Sequence, residues 1–254
     1  MTKLNEHLDL QRLWALVKLE TVRSRRGIGM TFIIVFDLLF FVSMLLGLYV
    51  EPEQKVFEHY DSYSSSLLIT GFILSSLAYR DLGHTLKRYN YLTLPASALE
   101  KFLSQWLLTS LGWILLYTLA YTVYTWLANP IGRLIFNEVE FESFSPFHPQ
   151  VLASMKFYFV LQGIFLVGSV QFRGYAFAKT LGVLSLFAGA CFLVTYVMMK
   201  DLFLSPHECS DTDCELLDHF GAHYIWPLAC GLFWWLLAPL TWLITYLGIK
   251  EKEV

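Results

Sequence analysis

The sequence predicts an all-α integral membrane protein with six transmembrane helices and an amphipathic helix before the first of them. Three observations lead to this fold class. Of the 254 residues, 56% are hydrophobic and 15% are charged, whereas soluble domains average roughly 45–50% apolar and about 25% charged residues. Several apolar segments approach the about 20 residues that a helix needs to cross a bilayer. If these segments alternate across the membrane, most Lys and Arg residues fall on one side.

Each long apolar segment is predicted to be a helix, because a backbone surrounded by lipid must satisfy its own hydrogen bonds. The predicted spans cover about 30–50, 63–79, 105–128, 155–172, 180–199 and 224–248. The second and fourth are short and contain Ser or Gln, so we expect neighbouring helices to shield them. The last contains Pro227 and Pro239, which predict a kink or break near each proline.

Basic residues predict the orientation of the chain. With the N-terminus in the cytoplasm, 14 of the 18 Lys and Arg residues lie on the cytoplasmic side, and the other four are Lys55, Arg133, Lys156 and Lys200. This asymmetry follows the positive-inside rule. Both termini are therefore predicted to be cytoplasmic. The outer loops are predicted at about 51–62, 129–154 and 200–223.

Residues 1–29 are predicted to contain an amphipathic elbow helix. Its apolar residues recur at helical spacing: Leu10, Leu13, Trp14 and Val17. A helix of this type lies in the headgroup layer, with Trp at the interface and basic residues near anionic lipid. It could be a generic juxtamembrane helix or a defining element of the fold. Gly27 and Gly29 would allow the chain to turn into the first span.

The first cytoplasmic loop, at about 80–104, contains a helix break and a new helix start. Pro95 lacks a backbone N–H and favours an extended preceding residue, so a helix is expected to stop there. Ser97 followed by Glu100 matches the capping box. An apolar stripe at helical spacing then follows, formed by Leu99, Phe102, Leu103, Trp106 and Leu107. The loop could receive a protein partner, or it could be an ordinary basic loop with a proline turn.

A few residues in or near the membrane could carry chemistry. Asp37 lies deep in the first predicted span, where an ionisable side chain is costly and normally faces protein or water. It could line a translocation path or only pair with a neighbouring helix, and Gln162 and Gln171 are milder candidates for such a path. Cys209 and Cys214 share the last outer loop, and could form a disulfide in an oxidising compartment or remain thiols.

Several function classes lack their sequence signatures. The chain contains no phosphate-binding G-x-x-x-x-G-K-[ST] motif, no H-E-x-x-H zinc motif and no G-x-S-x-G nucleophile elbow. We therefore predict no catalytic residue, no metal site and no cofactor in this chain. We also predict no nucleic-acid binding, because the basic residues show no patch typical of it.

The stretch YLTLPASALEKFLSQWL, residues 91–107, is similar to the LPxSxxEKFLSxW stretch of ABC-2-type transporter permeases, which are related in fold to the ABCG exporters. The order of elements also resembles that family: an amphipathic helix, six spans and a long first cytoplasmic loop. The resemblance implies a permease subunit of an ATP-driven exporter in a bacterial inner membrane. Two permease subunits, expected to form a homodimer, would act with two copies of a separate ATPase that binds ATP and Mg.

The resemblance also implies where the ATPase docks. The first cytoplasmic loop of this family carries a coupling helix, which maps to about 81–98 here. The candidate coupling residues are Lys87, Arg88, Tyr91, Pro95, Ser97 and Glu100. Two other functions stay open. The chain could be a non-ABC scaffold or assembly factor whose outer loops bind a periplasmic partner, or a secondary carrier that binds its coupling ion at Asp37.

Overall fold

The structure is a computed structural model of the 254-residue chain, and it describes residues 9–49, 56–83, 88–89, 91, 93–135, 140–203 and 226–253. Within these ranges the chain is all-α, apart from one pairing of two-residue strands. The helices are α1 (Leu10–Tyr49), α2 (Tyr60–Leu77), α3 (Ala98–Leu107), α4 (Trp113–Ile135), α5 (Pro149–Gln171), α6 (Ala176–Phe203), α7 (Trp226–Trp235) and α8 (Leu237–Glu253). A 3-10 turn at Arg80–Gly83 follows α2, and a π-helical turn at Leu108–Gly112 joins α3 to α4.

Four helical segments within the described residues are long and apolar enough to cross a membrane: Ala98–Leu134, Pro149–Gln171, Ala176–Val197 and Gly231–Lys252. The chain is a multi-pass membrane protein by helix length and hydropathy. These segments correspond to the third to sixth predicted spans. The second predicted span lies in α2, whose 18 residues include Asp61 and several serines. The first lies in the second half of α1, where most side chains fall outside the described part of the chain.

The predicted elbow helix and the first predicted span form one helix, α1, which is 40 residues long. The sequence predicted a turn at Gly27 and Gly29, but helical structure continues through both residues. Glycine destabilises a helix by roughly 0.5–1 kcal/mol relative to alanine and does not by itself end one. The elbow is therefore the first half of a longer helix and not a separate element.

The last predicted span is interrupted near Pro239, as the sequence predicted. α7 ends at Trp235 and α8 begins at Leu237, with a turn between them. Proline has no N–H, and its ring clashes with the carbonyl four residues earlier, which here belongs to Trp235. Pro227 lies next to Trp226, the first described residue of α7.

Helix α5 packs closely against α2, α6 and α8. Three crossings place a glycine against a larger side chain: Gly71 with Tyr158, Gly168 with Thr180, and Gly163 with Thr241. Small residues let helix backbones approach in this way within membranes. The interior of the bundle is therefore set by shape complementarity along α5.

Tyr158 of α5 stabilises the π-helical turn between α3 and α4. Its hydroxyl donates a 2.5 Å hydrogen bond to the carbonyl oxygen of Thr109, which lies inside that turn. A π turn departs from the regular hydrogen-bonding pattern of a helix, and a buried carbonyl needs a donor. Tyr158 is fully buried. The bond therefore fixes α5 against the point where α3 passes into α4.

We expect Gly163→Ala to destabilise the protein, because a Cβ there would collide with Thr241 Oγ1 and lie 3.0 Å from Thr241 Cβ. The Thr241 hydroxyl is held by bonds to the Leu237 and Ala238 carbonyls, so it cannot simply rotate away. Overpacking of this kind costs about 1–3 kcal/mol. Gly182→Ala is the matched control, because nothing lies within 4 Å of a Cβ at that position. Thermal unfolding in detergent measures the difference, and equal midpoints for the two variants would contradict the prediction.

Candidate functional site

The connection between α2 and α3, here called loop 1, ends in the capping box that the sequence predicted. The Ser97 hydroxyl accepts a hydrogen bond from the Glu100 N–H at 3.2 Å. Glu100 Oε2 accepts one from the Ser97 N–H at 2.9 Å. Residues 93–97 are not helical, and Pro95 is exposed among them. The predicted break at the proline and the restart at Ser97 are therefore confirmed.

Glu100 also binds the start of α1. Its Oε1 atom accepts a 2.8 Å hydrogen bond from the Asp9 N–H, and the Arg12 guanidinium lies 3.4 Å from the same oxygen. Asp9 immediately precedes α1, and the Glu100 side chain is fully buried. A buried charge is tolerated when it is paired and hydrogen-bonded. One carboxylate thus satisfies N–H groups at two helix starts, where the helix dipoles favour negative charge.

Two further contacts continue this interface along α1. Glu20 hydrogen-bonds Gln105 of α3. The Arg23 guanidinium lies 2.6 Å from Asp81 Oδ2 in the 3-10 turn of loop 1. We name the whole set the elbow junction, formed by Asp9, Arg12, Glu20, Arg23, Asp81, Glu100 and Gln105.

The elbow junction surrounds a small polar recess, which is lined by Glu20, Ala78, Tyr79, Asp81, Leu82, Tyr91 and Gln105. Burial raises the pKa of Glu20 above its ordinary 4.5, and the nearby Arg23 charge and the Gln105 hydrogen bond oppose this rise. Charge–charge contacts in a partly desolvated place are screened less than those on an open surface. Within the elbow junction this applies to the half-buried Glu20 and the buried Glu100, whereas the Arg12 and Arg23 side chains remain 43% and 49% exposed.

The α1 residues of the elbow junction share one face of the helix. Their spacing along the chain, 0, 3, 11 and 14, is helical, and Leu16 between them is buried. The predicted apolar side of this helix points elsewhere, because Leu10 is 72% and Trp14 70% exposed. Our sequence reasoning missed the polar face. The signal that could have found it is the helical spacing of Asp9, Arg12, Glu20 and Arg23.

Helix α3 buries its polar side and not its predicted apolar stripe. Its buried residues are Ala98, Glu100, Lys101, Ser104 and Gln105. The apolar residues that were expected to form the packed face are only half-buried: Leu99, Phe102, Leu103, Trp106 and Leu107. In a membrane the lipid can cover apolar side chains, whereas polar groups must be sequestered by protein. The apolar residues of α3 thus lie on one side of the helix, as predicted, but the opposite, polar side packs against α1.

The other predicted coupling residues lie in different environments. Lys87 lies outside the described residues. Arg88 is half-buried and donates a hydrogen bond to the Lys252 carbonyl at 3.5 Å. Tyr91 is buried, with the Lys101 ammonium 5.8 Å from its ring centroid. Tyr91 and Glu100 therefore hold loop 1 in place and are not available to a partner.

Loop 1 also presents an exposed aromatic residue that our sequence reasoning did not single out. The Tyr89 side chain is 72% exposed, beside Arg88. Pro95 is exposed at the other end of the loop. Among the described residues of loop 1, these two are exposed apolar side chains that a partner could reach.

The candidates for a translocation path occupy separate places. The Asp37 side chain lies outside the described part of α1. Gln171 is exposed at the last residue of α5, whereas Gln162 is fully buried in the middle of that helix. Nine residues of helix separate the two glutamines by about 13 Å along the axis. The structure therefore does not bring Gln162 and Gln171 together.

Gln162 lies beside an aromatic contact among α3, α5 and α8. One turn earlier on α5, Phe159 packs edge-on against Trp106 at 5.9 Å and against Trp242 at 5.3 Å between ring centroids. Neither amide atom of Gln162 has a hydrogen-bond partner among the described residues, and the same holds for both indole N–H groups. Leaving a buried polar group unpaired costs about 1–3 kcal/mol. Gln162 is thus the least satisfied polar side chain of this region.

The segments that follow α1 and α4, which are predicted to be outer loops, are joined to each other. Val56–Phe57 pairs in parallel with Glu140–Phe141, and His59 Nε2 lies 2.7 Å from Asn129 Oδ1. Nearby, the His148 ring stacks on Tyr60 at 3.9 Å between centroids. Burial lowers the pKa of His59 below its ordinary 6.5. Cys209 and Cys214, the predicted disulfide, lie outside the described residues.

Comparisons of the chain with protein-family models, with curated proteins and with solved structures found no match. Among the described residues, no group of three or more His, Cys, Asp or Glu side chains is placed to hold a metal ion. Within the described residues, the elbow junction brings residues distant in sequence together with defined polar geometry.

We expect Glu100→Ala to loosen the first turns of α1 and α3 together, because it removes the acceptor for the Asp9 and Ser97 N–H groups. Loss of one cap costs about 0.5–2 kcal/mol, and here two helix starts are affected. Hydrogen–deuterium exchange should become faster in both turns, and Glu100→Gln should give a smaller change. Glu251→Ala, at an exposed acid of α8, is the control. Unchanged exchange at the start of α1 in Glu100→Ala would show that the junction does not hold this helix.

We expect stability to fall as the pH is lowered below 6.5, the ordinary pKa of His59. Burial lowers the pKa of His59 in the folded protein, so the unfolded chain binds this proton more readily. Protonation below the ordinary pKa therefore stabilises the unfolded state relative to the folded one. Thermal unfolding between about pH 7.5 and about pH 5 measures the trend. His59→Gln should reduce the slope. The explanation fails if His59→Gln and the unaltered protein show equal slopes.

Proposed function

We propose that this chain is the permease subunit of an ATP-driven ABC transporter resembling the ABC-2 type, and that two copies act with two copies of a separate ATPase. The elbow junction carries the proposal, because it joins the first half of α1 to loop 1 and to the start of a candidate span. The proposal includes six spans with both termini in the cytoplasm. The positions of 14 of the 18 basic residues support this topology.

The elbow junction offers a route by which a partner on loop 1 could move a spanning helix. Loop 1 ends at Ser97. The candidate span Ala98–Leu134 then begins with α3 and continues through the π turn into α4. The first half of α1 is bound to both ends of the loop, through Arg23 to Asp81 and through Asp9 to Glu100. A displacement of loop 1 would therefore carry the start of α1 and the start of α3 with it.

The proposed cycle uses this connection. ATP binding would close the two ATPase subunits, and the closure would push on loop 1 of each permease copy. The two helix bundles would then rock and expose a path between them to alternate sides of the membrane. Tyr89 and Pro95 are the proposed contacts with the ATPase, since both are exposed. Tyr91, Ser97 and Glu100 position the loop from inside.

Helix α6 supports the pairing of two copies. Only 6% of its candidate span is buried, whereas the other three candidate spans are 28–44% buried. Its exposed side chains include Leu186, Phe187 and Phe192. A helix that is apolar all round is typically covered by lipid or by other helices. Of the four candidate spans that the structure describes, α6 is the least buried, and it is the proposed contact between the two copies.

A second candidate function is favoured by the outer segments. The parallel pairing of Val56–Phe57 with Glu140–Phe141 and the contact of His59 with Asn129 give these segments a defined shape. A scaffold or assembly factor that binds a periplasmic partner would need such a surface. This function would not need an ATPase.

The test uses an exposed aromatic residue at each end of the molecule. The chain is expressed with the ATPase encoded beside its own gene, and the ATPase that co-purifies is quantified. Tyr89→Asp should reduce this amount about tenfold or more, as expected when an interface hot spot is lost. Phe147→Asp is the control, because Phe147 is 83% exposed in the outer segment before α5.

Thermal unfolding of both variants verifies that they remain folded. Equal amounts of co-purified ATPase with Tyr89→Asp and Phe147→Asp would count against docking at loop 1. If no ATPase gene lies beside the gene of this chain and none co-purifies, the scaffold function is favoured.

A further inference from the structure

Basic side chains from three segments converge where α5 and α8 end. The Lys252 ammonium donates a hydrogen bond to the carbonyl of Val170 in the last turn of α5. Arg88 of loop 1 donates to the Lys252 carbonyl at 3.5 Å. Arg88 and Arg173 both lie close enough to Lys252 for their charges to repel its ammonium group. Lys179 donates to the Arg173 carbonyl at 2.9 Å. We name Arg88, Arg173, Lys179 and Lys252 the basic cluster.

Nearby negative groups offset only part of this charge. The C-terminal ends of α5 and α8 each supply about −0.5 elementary charge, and Glu251 supplies one negative charge close to Lys252. Of the four positive charges, about two remain uncompensated by the groups that the structure describes. Donors also remain for a ligand, because Arg carries five N–H donors and Lys three. The bonds above use one donor each from Arg88, Lys179 and Lys252.

The basic cluster lies at the level where candidate spans end. The span Pro149–Gln171 ends two residues before Arg173, and the span Gly231–Lys252 ends at Lys252 itself. Tyr175, in the short link between α5 and α6, is 87% exposed. Exposed Tyr side chains are concentrated at membrane–water interfaces. The cluster therefore lies in the headgroup layer.

The link between α5 and α6 is tightly turned. Gly174 and Tyr175 both have left-handed backbone conformations, with φ of 64° and 49°. This conformation is unfavourable for a residue with a bulky side chain. The turn holds Arg173 next to the helix ends and places the Tyr175 ring on the surface beside it. The turn therefore places the Arg173 side chain and the Tyr175 ring together on the surface.

We propose that the basic cluster binds the phosphate of an anionic phospholipid headgroup. Arg and Lys are the side chains that recognise phosphate in proteins. Basic pockets between spanning helices on the cytoplasmic side bind anionic headgroups, and the predicted topology places this end of the molecule on that side. Lipid is favoured over a soluble acidic partner because Lys252 is half-buried between helix ends, where a headgroup would lie. The site does not require the ATPase of the proposed function.

The test measures lipid binding to the full chain alone. Native mass spectrometry of the detergent-solubilised protein follows titrations with phosphatidylglycerol, with phosphatidylcholine and with inorganic phosphate. We expect tight binding of one phosphatidylglycerol per cluster and weaker binding of the other two probes. The double variant Arg88→Gln, Arg173→Gln should bind phosphatidylglycerol about 25-fold more weakly, at about fivefold for each charge removed.

Two variant pairs complete the experiment. Arg88→Lys with Arg173→Lys keeps the charges and should retain most of the binding. Arg133→Gln with Lys156→Gln removes the same charge at the opposite end and should leave binding unchanged. Thermal unfolding verifies the fold. If the double glutamine variant does not fold, Arg173→Gln alone tests the same point at an exposed side chain.

Three results would overturn the proposal. One is equal affinity for phosphatidylglycerol in the double glutamine variant and the unaltered protein. Another is displacement of the lipid by inorganic phosphate at similar concentrations, which would indicate a site for a free anion. The third is loss of ATPase capture without loss of lipid binding in the same variant, which would make the cluster a protein-docking surface.

Discussion

The Glu100 carboxylate is the interaction on which the arrangement of α1, loop 1 and α3 depends. A helix start leaves several N–H groups without partners, and the starts of α1 and α3 meet at this one side chain. Because Glu100 is fully buried, its charge must be compensated locally, and the two N–H groups and Arg12 do so. The Glu100 carboxylate is therefore stabilised by N–H groups from both helix starts, and it in turn accepts hydrogen bonds that stabilise both helix starts.

The packing of the helices around Glu100 reflects the apolar lipid that surrounds a membrane protein. On α3 the polar side is buried and the apolar stripe is half-exposed, the reverse of the pattern in a soluble protein. Tyr158 follows the same rule, because its hydroxyl lies inside the bundle on the Thr109 carbonyl. Gln162 is the exception, since its buried amide has no partner among the described residues. On α3, polar contacts therefore determine which side of the helix faces α1.

The features that the sequence predicted correctly are those set by local chemistry. The capping box at Ser97, the break at Pro95 and the interruption near Pro239 follow from a few neighbouring residues. The features that it missed depend on partners far along the chain. Gly27 and Gly29 permit a turn, yet the chain continues as a helix through them. Nothing local to Leu108–Gly112 signals a π turn, because the donor that stabilises it lies on α5.

Loop 1 is held at two points by different parts of the bundle. Near its C-terminal end, Glu100 fixes it to α1, and near its middle Arg88 reaches the last turn of α8. A ligand on the basic cluster would therefore act on the same loop as a partner that contacts Tyr89. The two proposed sites are coupled if loop 1 moves as a unit, since any displacement that separates Arg88 from Lys252 also alters the charges around Lys252. Lipid at the basic cluster would then set the resting position of loop 1.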